Sequence, residues 1–349
     1  FRANAFVQQG RVALVLRTIP QKIPSFKELG LPPVLTEIAL AKRGLVIFVG
    51  GTGTGKTTSL ASMVDYRNEH SYGHIITIED PVEYVHSHGN CIVTHREVGI
   101  DTVGWFDALK DTLRQAPDVI LIGEIRDHET MEYALNFAET GHLCMATLHA
   151  NSANQAIDRI VNFFPIEKHE QVRNDLALNM RAIISQRLVR KISGGRAAAI
   201  EILLSTSTSR DAIAKGEVGQ LKEIMKKSVE LGMKTFDQCL YELYDAGDIS
   251  LQEVQVNSDA KSELMLRLKL NSKRFIREEL PKGDEATGGL SLQVDAKPEE
   301  EESTGTLVVN IKRPEPKPPA APAPTPAARP AQPLELLLED IPPPPPPKA

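Results

Sequence analysis

VIFVGGTGTGKTTS, residues Val46 to Ser59, is the stretch whose reading decides the fold. Gly50, Gly51, Thr52, Gly53, Thr54, Gly55, Lys56 and Thr57 satisfy G-x-x-x-x-G-K-[ST] in full, directly after the apolar run Leu45 to Val49, which reads as a buried parallel strand. Closely spaced glycines let successive backbone N–H groups turn inward without Cβ interference, and the helix that follows, from Thr57 to near Arg67, points its positive end at what they hold. The stretch is expected to cradle a nucleotide phosphate, with Thr58 also among the binding residues. Lys56 would reach the β and γ oxygens of ATP, and the Thr57 hydroxyl would ligate Mg²⁺. A glycine loop that merely joins strand to helix is the alternative.

Outward from this loop, strand and helix alternate, which implies an α/β fold with a mainly parallel sheet and right-handed crossovers. Strands are expected at Leu45 to Val49, His74 to Ile78, Val119 to Ile122 and Leu143 to Leu148, with helices between them at Val103 to Gln115 and His128 to Glu139. Ligands in such sheets sit outside the carboxyl ends of the strands, so the residues there carry the chemistry.

Three of those ends hold candidates. Glu79-Asp80-Pro81-Val82-Glu83 places acids where they can orient a water for in-line attack on a γ-phosphate, or else forms an acidic turn stopped by Pro81. Glu124 follows the apolar strand Val119 to Ile122, the Walker B arrangement, in which a carboxylate holds Mg²⁺ directly or through water. His149 ends Leu143 to Leu148 and reads either as a local hydrogen-bonding group or as a γ-phosphate sensor.

Beyond Asn151 the pattern reads as helical, at Ala153 to Phe163, Lys168 to Leu188, Asp211 to Lys215, Gly219 to Leu231, Thr235 to Asp245 and Asp259 to Lys269. One β piece is expected at Arg196 to Leu203. Thr235 to Tyr244 looks like an ordinary amphipathic core stripe. Such a helical layer suits a partner surface and packing against neighbouring subunits. At the other end, Phe1 to Pro24 reads as two β segments around Gly10, too short to fold alone and similar to the end of a preceding domain. Its Arg2, Arg11 and Arg17 are either solvated strand charges or phosphate-directed groups. Pro20, Pro24, Pro32 and Pro33 punctuate a linker and one short helix. Position 1 is not Met, so further upstream sequence is expected.

Residues 281–349 differ in kind, holding 17 of the 24 prolines and no aromatic residue, a composition that cannot bury enough apolar surface to offset ordering entropy. This tail is expected to be disordered, with Thr306 to Ile311 and Leu334 to Ile341 as possible docking islands or incidental aliphatics. It carries 7 Lys/Arg against 11 Asp/Glu, a net −4, and the remaining residues carry 33 against 35, a net −2. A balanced body argues against a nucleic-acid surface, because phosphate neutralisation needs clustered cations. Cys91, Cys144 and Cys239 are too scattered for a metal site or a disulfide framework, and no run approaches a membrane span, so a cytosolic setting is expected.

GGTGTGKTTS, ITIEDPVEYVH, DVILIGEIRD and MATLHAN, in this order, resemble the secretion ATPase superfamily, most closely the type IV pilus retraction motors of the PilT/PilU group, over Phe1 to Lys273. The resemblance implies a RecA-like P-loop NTPase core. It implies that Glu79 is the general base, Glu124 the atypical Walker B acid and His149 the His-box residue. The opening segment looks like the end of a PAS-like domain, which makes Arg2, Arg11 and Arg17 candidate arginine fingers or interdomain phosphate contacts. The implied plan is a PAS-like remnant and linker at 1–24, the ATPase core at 25–205, a helical region at 206–280 and the Pro-rich tail at 281–349. The three cysteines cannot build the four-cysteine zinc module usual in extension and type II secretion motors. The stretch SRDAIAKGEVGQLKEIMKKSVELGMKTFDQ, from Ser209, resembles the PilU branch more than the PilT branch. The implied role is an ATP-hydrolysing homo-hexamer at the cytoplasmic face of the inner membrane. It would drive pilus retraction with a PilT-type partner and reach the membrane peripherally, through the platform protein. A nucleotide-gated scaffold with little turnover is the rival from another class; a DNA-translocating ATPase is a third reading, disfavoured by the charge balance.

Overall fold

The computed structural model describes residues 2–18 and 22–275. The tail and its two islands lie outside the described residues. Arg2–Gln8 (β1) and Arg11–Arg17 (β2) form an antiparallel hairpin whose turn residues, Gln9 and Gly10, both have positive φ, as a tight two-residue turn requires. Two short helices follow where one was expected, Phe26–Leu29 (α1) and Val34–Ala39 (α2). A capping box starts α1: the Ser25 hydroxyl accepts from the Glu28 N–H, and the Glu28 carboxylate accepts from the Ser25 N–H.

The core then runs Gly44–Val49 (β3), Lys56–His70 (α3), Gly73–Glu79 (β4), Cys91–Glu97 (β5), Trp105–Thr112 (α4), Val119–Ile122 (β6), His128–Glu139 (α5), Leu143–Leu148 (β7), Ala153–Asn162 (α6), His169–Asn179 (α7), Met180–Arg190 (β8) and Arg196–Leu204 (β9). One seven-stranded sheet has the order β5-β4-β6-β7-β3-β8-β9, parallel throughout except for β9, which pairs antiparallel with β8. Because β3 is covered on both faces, its six residues are all buried and read as a continuous apolar run. Leu45, Ile47 and Val49 pack in the cluster that contains α5, α6 and α7, while Val46 and Phe48 pack on the opposite face with Leu35, Ile38, Leu60 and Met63 of α2 and α3.

The remaining helices are Ser207–Lys215 (α8), Leu221–Lys227 (α9), Phe236–Asp245 (α10), Leu251–Asn257 (α11) and Lys261–Asn271 (α12). The stripe expected at Thr235 to Tyr244 is present: Phe236, Cys239, Leu240 and Tyr244 are buried. They form a third cluster with Leu264 and Leu268 of α12 and with Val189, Ala197 and Ala199 from the far end of the β8–β9 hairpin.

Three expectations are corrected. The helix read over Lys168 to Leu188 stops at Asn179, and the chain turns extended at Met180 to become β8. Pairing with β3 overrides local helix propensity there, and no Gly or Pro marks the break. Residues beyond Asn151 are therefore not helical throughout. The helix read over Gly219 to Leu231 is broken, with α9 lying between short 3-10 turns at Val218–Gln220 and Val229–Leu231. Strand β5 was not anticipated, because an edge strand with Thr94, His95 and Arg96 shows no apolar run.

The register sets the carboxyl ends of the central strands side by side. Val49 of β3 pairs with Leu148 of β7, Ala146 of β7 with Ile122 of β6, and Ile122 with Ile78 of β4. Gly50, Glu79, Glu124 and His149 thus emerge at one edge of the sheet.

Candidate active site

The loop between β3 and α3 is shaped by its glycines. A Cβ on Gly50 would lie 2.5 Å from Thr54 Oγ1 and 2.6 Å from the Gln186 carbonyl oxygen, so no side chain fits. Gly53 and Gly55 adopt φ of 76° and 84°, and a Cβ on Gly55 would meet Gln186 Nε2 at 2.9 Å. Gln186, on β8, braces the loop from outside, its amide donating to the Thr54 carbonyl at 2.8 Å while accepting from the Ser59 hydroxyl at 2.8 Å. Lys56 is buried and donates to the Gly50 and Gly51 carbonyls at 2.9 and 3.0 Å, so its ammonium is turned into the loop. Burial holds its pKa below the ordinary lysine value, with Glu124 and Glu83 opposing that shift.

Glu79 ends β4 and is buried. Burial pushes its carboxyl up to about 7, against the lowering effect of hydrogen bonds from Thr77 and the Glu83 N–H. Glu124 follows β6 by two residues; its Oε1 lies 3.0 Å from His149 Nε2, and its Oε2 accepts from Arg126 Nε at 2.9 Å. Arg126 in turn lies 3.7 Å from Asp80. The backbone below this group is tied across strands: the Thr147 hydroxyl donates to the Gly123 carbonyl, and the Ile125 N–H donates to the Thr147 carbonyl at 2.8 Å. Thr58 Oγ1 and the Tyr84 hydroxyl are 3.0 Å apart, linking α3 to the segment after Glu79.

One cavity of about 490 Å³ brings these groups together, lined by Thr52, Gly53, Gly55, Lys56, Thr57, Thr58, Glu79, Glu124 and His149. Arg17 lines it as well, whereas Arg11 is not among its lining residues, and the Arg2 side chain lies outside what is described. Trp105, Arg126, Leu188 and Arg196 also reach the cavity, and the sequence did not single them out. Arg126 had a signal, two positions after Glu124. Gln186 and Leu188 had none, because the strand that carries them read as helix. The Thr57 hydroxyl and the Glu124 carboxylate line the same space, and hard oxygen donors of this kind fit Mg²⁺.

Such a site can bind a polyphosphate on backbone N–H groups and Lys56, and it presents a neutralisable acid, a second acid and a histidine beyond them. The sequence matches the family described as type II/IV secretion system protein over residues 8–288. It is 55% identical over 295 residues to the type IV pilus ATPase PilU of Pseudomonas aeruginosa, covering 84% of this chain and 76% of that protein. To the type IV pilus retraction ATPase PilT of the same organism it is 46% identical over 255 residues, covering 73% and 74%. Among solved structures, the pilus retraction motor PilT with bound ADP superposes with a TM-score of 0.72 at 47% identity, over 76% of each chain. The ATPase DotB of Legionella pneumophila superposes with a TM-score of 0.65 at 29% identity, covering 73% of this chain and 71% of that one.

Proposed function

The chain belongs to the type II/IV secretion system protein family, and from that membership we propose that it is a motor ATPase of type IV pilus retraction, acting as the PilU-type companion of a PilT-type ATPase. The observation that carries this reading is the convergence of Lys56, Glu79, Glu124 and His149 on one cavity beside a complete phosphate loop. ATP is the substrate. Backbone N–H groups of Gly51 to Thr57 and the helix end of α3 bind its phosphates, and Lys56 leaves the Gly50 and Gly51 carbonyls to meet them. Thr57 and Glu124 are the residues that would hold Mg²⁺, which supplies neutralisation of charge on the phosphate oxygens when bound.

Glu79 is the proposed base. Ionised, it takes a proton from the attacking water, and a carboxyl poised near neutrality by burial can both accept and release that proton within a cycle. His149, bonded to Glu124, is the proposed γ-phosphate sensor, since a change in what Glu124 holds changes the partner of His149. Of Arg11 and Arg17, the two N-terminal arginines whose side chains are described, Arg17 supports a phosphate-directed role by its place at the cavity.

The proposed working form is a homo-hexameric ring at the inner-membrane face, touching the pilus platform protein. No helix among the described residues is long and apolar enough to cross a membrane, so attachment through that protein fits the reading. Force requires only that ATP-bound and ADP-bound subunits prefer different arrangements. Replacing the native gene with one encoding Lys56→Ala tests this directly. Pilus retraction under load should be lost, with the protein present at wild-type level; undiminished retraction would refute the reading.

A further inference from the structure

Arg187 lies on β8, one residue past the glutamine that braces the phosphate loop, and its guanidinium meets three parts of the chain at once. Nη2 donates to the Asn151 carbonyl at 3.2 Å, two residues past His149. Nη1 donates to the Asn257 carbonyl at 2.8 Å, at the end of α11, and lies 2.8 Å from Asp259 Oδ1. The guanidinium carbon sits 3.9 Å from the centre of the Phe236 ring, which opens α10 and is fully buried.

The two sides that Arg187 joins are each ordered without it. On the C-terminal side, Asp237 accepts from the N–H groups of Asp259 and Ala260 and from the Ser258 hydroxyl, and Lys222 pairs with the second oxygen of Asp259 at 2.8 Å. On the nucleotide side, buried Glu201 accepts from the Ala153 N–H and the Ser185 hydroxyl, which fixes the start of α6. The Asn151 N–H donates to Gln155. What these bonds leave to Arg187 is the Asn151 carbonyl, the peptide between the fixed start of α6 and the histidine that meets Glu124.

Resting on the reading of His149 given above, we propose that Arg187 is a positioning residue for ATP turnover. It fixes the Asn151 carbonyl against the C-terminal helices and so sets the loop that carries His149. A planar fork that stacks on one ring and serves several acceptors suits this task, and a lysine ammonium at the same place cannot serve all of them. Misplacing a catalytic group by about 1 Å can cost roughly a hundredfold in rate, so the effect is large enough to read.

The test compares Arg187→Met with Asp259→Asn in the full chain. Arg187→Met keeps an apolar stem over Phe236 and leaves Asp259 its lysine. Asp259→Asn removes the ion pair but leaves Arg187 on Asn151 and still anchored on the C-terminal side by the Asn257 carbonyl and the Phe236 ring. Positioning predicts that Arg187→Met lowers kcat by roughly ten- to a hundredfold with KM for ATP within about twofold, while Asp259→Asn keeps kcat within about twofold. Equal losses in both variants, tracking their melting temperatures, would overturn the proposal in favour of a purely structural tie, and so would an unchanged kcat in Arg187→Met. If Arg187→Met does not fold, Arg187→Lys takes its place, and a wild-type kcat there overturns the proposal. Amide exchange of Ala150, Asn151 and Ala153 in the nucleotide-free protein provides a readout independent of turnover. It should accelerate at least about tenfold in Arg187→Met and not in Asp259→Asn. Unchanged exchange refutes the placement even if the wild-type chain proves inactive, which would count against the functional reading instead.

Discussion

His149 Nε2 lies 3.0 Å from Glu124 Oε1, so the histidine at the end of β7 and the acid beyond β6 form one bonded unit across adjacent strands. With Arg126 on the other carboxylate oxygen, Glu124 is held from two sides and pointed at the phosphate loop. Removing either partner should therefore harm catalysis more than binding.

His149→Ala and Glu124→Gln are each expected to lower kcat by about a hundredfold or more, the usual scale for losing a group that acts on the reacting phosphate. Binding of a fluorescent ATP analogue should stay within a few-fold of wild type. A double variant no worse than the poorer single one would show that the two act as a unit.

Lys56→Ala should act on binding first. Losing a charge-assisted hydrogen bond to phosphate costs about 1.5–3 kcal/mol, so nucleotide affinity should fall roughly ten- to a hundredfold, with turnover lost. Equilibrium titration with ATP read against ADP checks this, and equal affinity in variant and wild type would remove Lys56 from the site.

The pH dependence follows from Glu79, whose pKa rises from 4.5 to about 7 through burial. A base must be ionised, so kcat/KM for ATP should rise with pH up to about 7 and then level, and Glu79→Gln should abolish both the rise and the turnover. Stability runs the other way. A carboxyl whose folded pKa is raised contributes stability at low pH that is lost as pH climbs from 4.5 to about 7, because the ionised form is then buried. Glu79→Gln should therefore melt close to wild type at pH 4.5 and be more stable at pH 8, by roughly 3 kcal/mol at most.

Gly50→Ala tests the loop itself. The added Cβ would meet the Gln186 carbonyl oxygen at 2.6 Å, and backbone cannot move aside as a flexible side chain can. A destabilisation of about 1–3 kcal/mol is expected, with loss of nucleotide-dependent stabilisation in a thermal melt.

Much of this site was legible from the sequence because each part ends an apolar strand. Val119–Ile122 and Leu143–Leu148 fall where expected, and their following residues Glu124 and His149 meet as the parallel register requires. What was hidden depends on pairing between distant segments. Gln186, Arg187 and Leu188 lie on a strand whose residues carry no local sign of it, since β8 exists by pairing with β3 as far as Ser185 and with β9 beyond it. Arg17 and Arg11 look alike in sequence, but they stand at opposite ends of β2, and of the two Arg17 lines the cavity. Likewise, nothing in the run from Thr235 to Asp259 reveals that Asp237 ties the loop before α12.

The measurement that bears most directly on the whole account is ATP hydrolysis by the purified full chain and by Glu79→Gln, each alone and with a PilT-type partner inactivated at its own phosphate loop. Wild type should release phosphate in at least one of these settings, and Glu79→Gln should bind ATP without releasing phosphate in either. If both proteins bind ATP and neither hydrolyses it, the chain is a nucleotide-gated scaffold and the motor reading is wrong.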